Sequence, residues 1–333
     1  MTSIKRRSAI TAITACTLAL LGCTMAQAQT AAPVASWPTK PVRLWVPSPA
    51  GTAPDIVARV LGDKLSKVWG QPVIVENRPG AGGTIGLGAI KSGAQDDHTF
   101  AFVPASVLTL TPTMFKSTQV DVVRDFVPVA LVAEGPMMMA VNASSPANSL
   151  ADVIAMARKN PDAFVVTSPF IYSLPHLTGE LLARVAGVPL RAVPYTNSGA
   201  AIAAVMNNDA QLIIDGIPPI EPMVKGGKLK AIALFSDGRL PNRPQIAAVT
   251  ETYPGMVING WFGVVAPKGT SDKAIERVNR DIAKLVREPE LTERFDSFGV
   301  YAKSMTPAQF GKYWTDDRLR WEKVMQDIGV KPQ

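Results

Sequence analysis

Cysteine is almost missing from this chain of 333 residues: Cys16 and Cys23 are its two, and both fall within the first 28 positions. Without that segment the chain has no disulfide, no thiolate metal ligand and no cysteine nucleophile. Histidine is as scarce. His98 and His176 are far apart, and two isolated imidazoles without cysteines make no metal-ligand spacing. Gly-x-Ser-x-Gly is absent, and no serine has an activating base beside it, although Ser168 and Ser173 lie near His176 in sequence. There is no Lys/Arg-rich run of the kind that tracks nucleic acid. Beyond the N-terminal segment no apolar run reaches the roughly 18 residues that a membrane span needs. Hydrolase, metalloenzyme, nucleic-acid binder and membrane-spanning classes all lose support. No cofactor or metal is expected.

What is present begins with an export signal. Lys5, Arg6 and Arg7 precede the apolar stretch "AITAITACTLALLG", and Ala26-Gln27-Ala28 is a small-x-small cleavage site. Residues 1–28 are therefore expected to be a signal peptide, and the mature chain is expected in the periplasm. Leu20-Leu21-Gly22-Cys23 offers an alternative, a lipobox that would make Cys23 a lipidated first residue. Arg6-Arg7 hints at twin-arginine export, but the following residues fit that signal poorly. The full chain carries 34 basic and 27 acidic residues, and the leader holds three of the basic ones. The remaining 31 against 27 is a mild excess, with no implication of nucleic acid. Roughly 300 residues rich in apolar side chains can bury a sizeable core, and that length suggests two lobes.

"VIVENRPGAGGTIGLGA", residues 73–89, has the order strand, turn, glycines, helix that opens phosphate-cradling loops. Its spacing is wrong for one. Gly80-x-Gly82 would need a third glycine where Ile85 stands, and no Gly-Lys-Ser/Thr follows. The glycines are expected to serve positive φ and close helix–strand approach. Around them, strand candidates at 41–46, 72–76 and 99–103 alternate with an amphipathic helix over 55–69 capped by Gly70. The pattern recurs with strands at 164–167, 211–215, 229–234 and 261–265 and helices ending near Gly187 and Asn207. Two C-terminal helices follow, the last starting at Thr306-Pro307 with a stripe of Phe310, Trp314, Trp321, Val324 and Ile328. Such alternation with short turns predicts an α/β fold of two lobes around a cleft, each a mainly parallel sheet flanked by helices. The expected lobes are 37–135 with 263–333, and 136–262. The segments 128–133 and 261–265 are expected as the crossing strands, with the C-terminal helices returning to the first lobe.

From Trp37 onward an ordered set of segments resembles the Bug-type receptor family, the extracytoplasmic solute-binding proteins of tripartite tricarboxylate transporters. The segments are "WPTKPVRLWVP", "DIVARVLGDKLSKVWGQPVIVENRPGAGGTIG", "LPHLTGELL", "GKLKAIAL", "WFGVVAPKGT" and the closing W-x-x-V-M-x-x-I-G-V. The resemblance implies a type II-like periplasmic binding protein, not an enzyme, whose lobes close on a small carboxylate. It also implies membrane transporter subunits as partners, and a monomer is expected. A ligand-sensing subunit for a signalling partner, or an exported hydrolase, are the rival readings. The chain departs from the family pattern in the first loop (47–55), in Asp96-Asp97-His98-Thr99, and in the segment 167–175.

The first strand–helix loop makes sense as a carboxylate seat. A helix N-terminus offers unpaired N–H groups and partial positive charge without any Lys or Arg. Ser48, the amides of Ala50, Gly51, Thr52 and Ala53, and Asp55 are the candidates there. Thr52 and Asp55 also have capping-box spacing, which alone would account for Asp55. Ala105 and Ser106 follow the third strand at its carboxyl end, where open α/β sheets bind ligands; a local turn hydroxyl is the alternative for Ser106. Ser168, Phe170 and Tyr172 lie in the altered segment, and alternate spacing would place both rings on one wall unless they pack in the core. Tyr195 and Asn197 match a family loop on the second lobe, and Asp215 an acidic strand end; either meets the far end of the ligand or holds the hinge. The ring wall suits an aromatic mono- or dicarboxylate of the terephthalate type. His98 is expected at the surface, His176 in a capping or packing role, and Trp261 in a structural one.

Overall fold

The computed structural model describes residues 37–93, 96–115, 120–161, 163–327 and 329. The expected signal peptide, both processing alternatives at Ala28 and Cys23, and Ile328 lie outside the described residues. The elements below all belong to the unit Lys40–Gln333.

Strand β1 (Val42–Val46) pairs in parallel with β2 (Val73–Asn77) on one side and β3 (Thr99–Pro104) on the other. Between β1 and β2 runs α1 (Ala53–Trp69), which buries Val57, Ala58, Leu61 and Leu65. The helix ends as the sequence predicts, with Gly70 in the left-handed region donating its N–H to Ser66 O. Helix α2 (Thr84–Gly93) follows the glycine turn. At Gly86 a Cβ would sit 2.3 Å from Arg78 O and 2.8 Å from Pro47 Cβ. Gly83 adopts φ +100 and faces Val107. These glycines let the turn press against the first loop, which is a packing demand and not a phosphate cradle.

The long strand β4 (Phe126–Asn142) is the spine of the molecule. It is followed by α3 (Leu150–Lys159), β5 (Val165–Ser168), α4 (Leu174–Ala186), β6 (Arg191–Pro194), α5 (Ser198–Met206) and β7 (Leu212–Gly216). Then come α6 (Ile217–Lys225), β8 (Leu229–Leu234), the two-residue β9 (Ala247–Ala248) and β10 (Asn259–Pro267). The chain closes with α7 (Asp272–Leu285), α8 (Pro289–Ser297), β11 (Tyr301–Ala302) and α9 (Pro307–Asp327). In the second lobe β5 pairs in parallel with β6 and β7.

Each lobe thus has a parallel three-strand set, and the strands that join the lobes run antiparallel. From Phe126 to Pro136, β4 pairs with β10; from Met137 onward it pairs with β7 and β8. One strand therefore serves both lobes. By contrast β10 pairs with β3 and the first half of β4, so its ladder lies in the first lobe from Asn259, a little before the expected 263. The return crossing is made just ahead of it, where Ile258 O accepts from Met137 N and Ile258 N donates to Phe235 O.

The C-terminal helices pack on the first lobe. Trp314 Nε1 donates to Leu108 O at 3.1 Å, and Trp261 Nε1 donates to Asp317 Oδ2 at 2.8 Å. The Trp69 indole donates to Asp281 Oδ2, tying α1 to α7. One apolar cluster gathers around Trp261, Phe310 and Leu131, and another around Met139, Leu182 and Phe235 also takes in Leu110, Met114 and, from α9, Trp321 and Met325.

Candidate functional site

A cavity of about 440 Å³, counting the open space at its mouth, lies where the ends of β1, β3, β7 and β10 meet the openings of three helices. Thr52 and Ala53 open α1, Ser173 and Leu174 open α4, and Asp215 and Gly216 lead into α6; all line it. Pro104, Ala105 and Ser106 close the gap after β3, and Met137 stands where β4 changes partners. The remaining walls are Phe170, Trp261 and Phe262 with smaller apolar groups. No Lys or Arg lines the cavity among the described residues.

The electrostatics follow from the helices. First-turn N–H groups have no partner within a helix and carry partial positive charge. Prolines take up some of these positions (Pro54, Pro175, Pro218), where their missing N–H costs little. The N–H groups of Ala53 and Leu174 therefore remain at two helix openings that line one apolar space, and Gly216 lines it at the third. An anion can be held there by backbone dipoles.

The first loop is built differently from the expected capping box. Thr52 is the N-cap of α1, but its hydroxyl donates to Pro49 O at 2.7 Å and does not cap. Asp55 is the organiser. Its Oδ2 accepts from Gly51 N at 2.9 Å, and its Oδ1 accepts from Asn77 Nδ2 and from Arg59 Nε. The Gly51 N–H is thus occupied, Gly51 takes φ +77, and Asp55 is buried away from the cavity. Ala50 and Gly51 line a separate groove with Asn197 instead. Asn197 caps α5, its side chain accepting from Ala200 N. Tyr195 lies with Phe170 in a second groove, bordered by the glycine turn.

Ser48 and Ser168 are buried, and neither hydroxyl has a partner. They lie beside the grooves and cavity rather than among the residues lining them. Tyr172 is placed away from the cavity too. Its ring meets Phe115 edge-on at 5.3 Å in an apolar cluster that also holds Leu110 and Met114, and its backbone sits at φ +59. The rings that line the cavity beside Phe170 are Trp261 and Phe262. Strand residues Trp261 and Phe262 were legible as apolar, but nothing in their spacing marked a ligand wall.

His176 sits in the first turn of α4, where Nδ1 accepts from Tyr172 N and burial lowers its pKa. Accepting at Nδ1 requires the neutral ring. Its N–H donates to Ser173 Oγ, so both contacts belong to the helix opening. His98 is buried, not at the surface as expected, with Nδ1 against Asp96 O.

Asp215 is the one acid in the cavity wall, 2% exposed. Its Oδ2 accepts from Ser198 Oγ at 2.6 Å and its Oδ1 from Gly216 N at 2.7 Å. Burial outweighs both hydrogen bonds and pushes the carboxyl up to about 7. Among the described residues no cluster of three His, Cys, Asp or Glu could hold a metal ion.

Two α/β lobes joined through a shared strand, with an apolar cavity between the loops at their strand ends, define a solute-binding receptor. The chain belongs to the tripartite tricarboxylate transporter family receptors, whose family model matches residues 57–330. It is 32% identical over 318 residues to protein BugT of Bordetella pertussis, covering 94% of this chain and 98% of that protein. Among solved structures it is similar to R. palustris Rpa4515 with adipate, at 28% identity and a TM-score of 0.86, covering 89% of this chain and all of that one. It is also similar to MatC from Rhodopseudomonas palustris with bound malate, at 25% identity and a TM-score of 0.80, covering 86% of this chain and 99% of that one. No helix among the described residues is long and apolar enough to cross a membrane.

Proposed function

We propose that this chain is a periplasmic receptor that captures a small carboxylate with a flat apolar body, an aromatic mono- or dicarboxylate of the terephthalate type. It then delivers the ligand, as a monomer, to the membrane subunits of a tripartite tricarboxylate-type transporter. The observation that carries this reading is the cavity itself: three helix openings without a cationic side chain, walled by Phe170, Trp261 and Phe262. Adipate and malate in the two similar structures support the carboxylate class. Ring walls favour an aromatic body, since offset or edge contacts add about 1 kcal/mol beyond burial. Ligand binding then favours the closed arrangement of the lobes.

Calorimetry with benzoate, terephthalate, adipate, malate and citrate tests the reading. Terephthalate or benzoate should bind tightest and citrate weakest. Tightest binding by citrate or malate would overturn the aromatic preference, and no binding by any of them would overturn the receptor reading.

A further inference from the structure

We propose that Asp215 meets the ligand as a carboxylic acid and donates a hydrogen bond to the ligand carboxylate, so that capture by the ionised form takes up one proton. The inference deepens the carboxylate-receptor reading and rests on it.

The geometry leaves few other roles for this side chain. An ionised carboxylate has about four lone-pair positions. Ser198 Oγ and Gly216 N fill two, one on each oxygen. Asp215 also lines the cavity. No cation compensates it. Of the elements packed against β7, α4 carries His176, Glu180 and Arg184, α6 carries Glu221 and Lys225, and β4 carries Glu134. Neither α5 nor β5 carries a charge. On α1, which reaches Gly216 through Ala53, the nearest charges are Asp55 and Arg59. Glu134 is engaged with Lys303, Glu221 with Arg243 and Lys225, and Asp55 with Arg59, while burial raises the Glu180 carboxyl as well. His176 Nδ1 accepts from Tyr172 N, as a neutral ring does, and burial lowers its pKa. Burial and the two hydrogen bonds alone set the acidity of Asp215.

A ligand carboxylate entering this space brings a second negative charge beside a buried acid. Two carboxylates sharing an apolar site cannot both stay ionised, and one keeps a proton. The ligand charge is the one the helix openings hold. Asp215 therefore takes the proton from solvent and turns it toward the ligand, while Ser198 and Gly216 continue to fix the carboxyl plane. Charge is balanced: ionised Asp215, one proton and the ligand anion give a neutral acid hydrogen-bonded to a carboxylate.

The test is calorimetry with terephthalate and adipate on wild type and Asp215→Asn, between about pH 6 and pH 9 and in buffers of different ionisation enthalpy. Free dicarboxylates of this kind titrate near the ordinary carboxyl range of about 4, well below that window. Wild type should lose about tenfold in affinity per pH unit above about 7 and take up close to one proton per ligand. Asp215→Asn offers a permanent N–H donor, so its affinity should stay flat with pH and its proton uptake should vanish. Wild-type binding that is independent of pH, without proton uptake, overturns the proposal while leaving the receptor reading intact. So does a folded Asp215→Asn variant that keeps the wild-type profile. If neither probe, nor benzoate or malate, binds at about pH 6, both readings fall together. Should the variant not fold, the wild-type profile and proton count still decide.

Discussion

A buried acid that holds its proton weakens the unliganded fold as pH rises. The folded-state value of Asp215, about 7, lies above the ordinary carboxyl value of about 4. Between those limits the folded chain binds a proton that the unfolded chain has released, so stability falls across the interval and is flat above it. Asp215→Asn should therefore raise Tm by several degrees at about pH 8 and by little at about pH 4, read by thermal unfolding without ligand. Tyr172 carries a different expectation. Its buried ring packs on Phe115, so Tyr172→Ala should cost about 3 kcal/mol in denaturant unfolding and leave ligand affinity within about twofold. A tenfold loss of affinity would restore the ring to the site. The alternation that paired Tyr172 with Phe170 holds only along extended backbone, and the turn at Tyr172, with φ +59, breaks it. Asp215 was legible through its match to an acidic position of the family at a strand end. Burial, which decides its protonation, is a property of the packed lobes and has no local signature.

At the scale of elements, the first loop shows a spacing that is right and a partner that is not. Thr52 and Asp55 stand at capping-box distance, yet the carboxylate reaches back to Gly51 N and across to Asn77. The cross-strand partner, on β2, could not be read from the loop alone. Removing the carboxylate by Asp55→Ala leaves Gly51 N and Asn77 Nδ2 without it, at a cost of about 2 kcal/mol. Chemical denaturation measures that loss directly. The same logic bears on β4. Gly135-Pro136 reads as a strand end, and only the segment 128–133 was expected as a strand. The structure carries β4 through the proline because Pro136 stands where the β10 ladder ends and the β7 and β8 ladders begin. A missing N–H is tolerated at such a junction. Strand–helix alternation, by contrast, was plain in the sequence, since each element carries its own apolar period and its own cap.

Across the whole molecule the lobes are joined at β4 and at the return before β10, and the cavity takes walls from both. Saturating ligand should therefore compact the protein in solution, seen as a smaller radius of gyration by small-angle scattering; an unchanged radius would contradict closure. Affinity should also vary little with salt, because no Lys or Arg among the described residues lines the cavity and backbone dipoles in an enclosed site are poorly screened. Titration at low and high ionic strength checks this. The helix openings have one more consequence, for how such a receptor can change its diet. Main-chain N–H groups are the same whatever residue supplies them, prolines apart. Mutation at Ala53 or Leu174 alters shape but not the charge-holding groups, whereas Met137, Phe170 and Phe262 present only their side chains to the body of the ligand. A lineage can then trade one acid for another by a handful of wall substitutions, each step still gripping a carboxylate, without passing through an inactive ancestor.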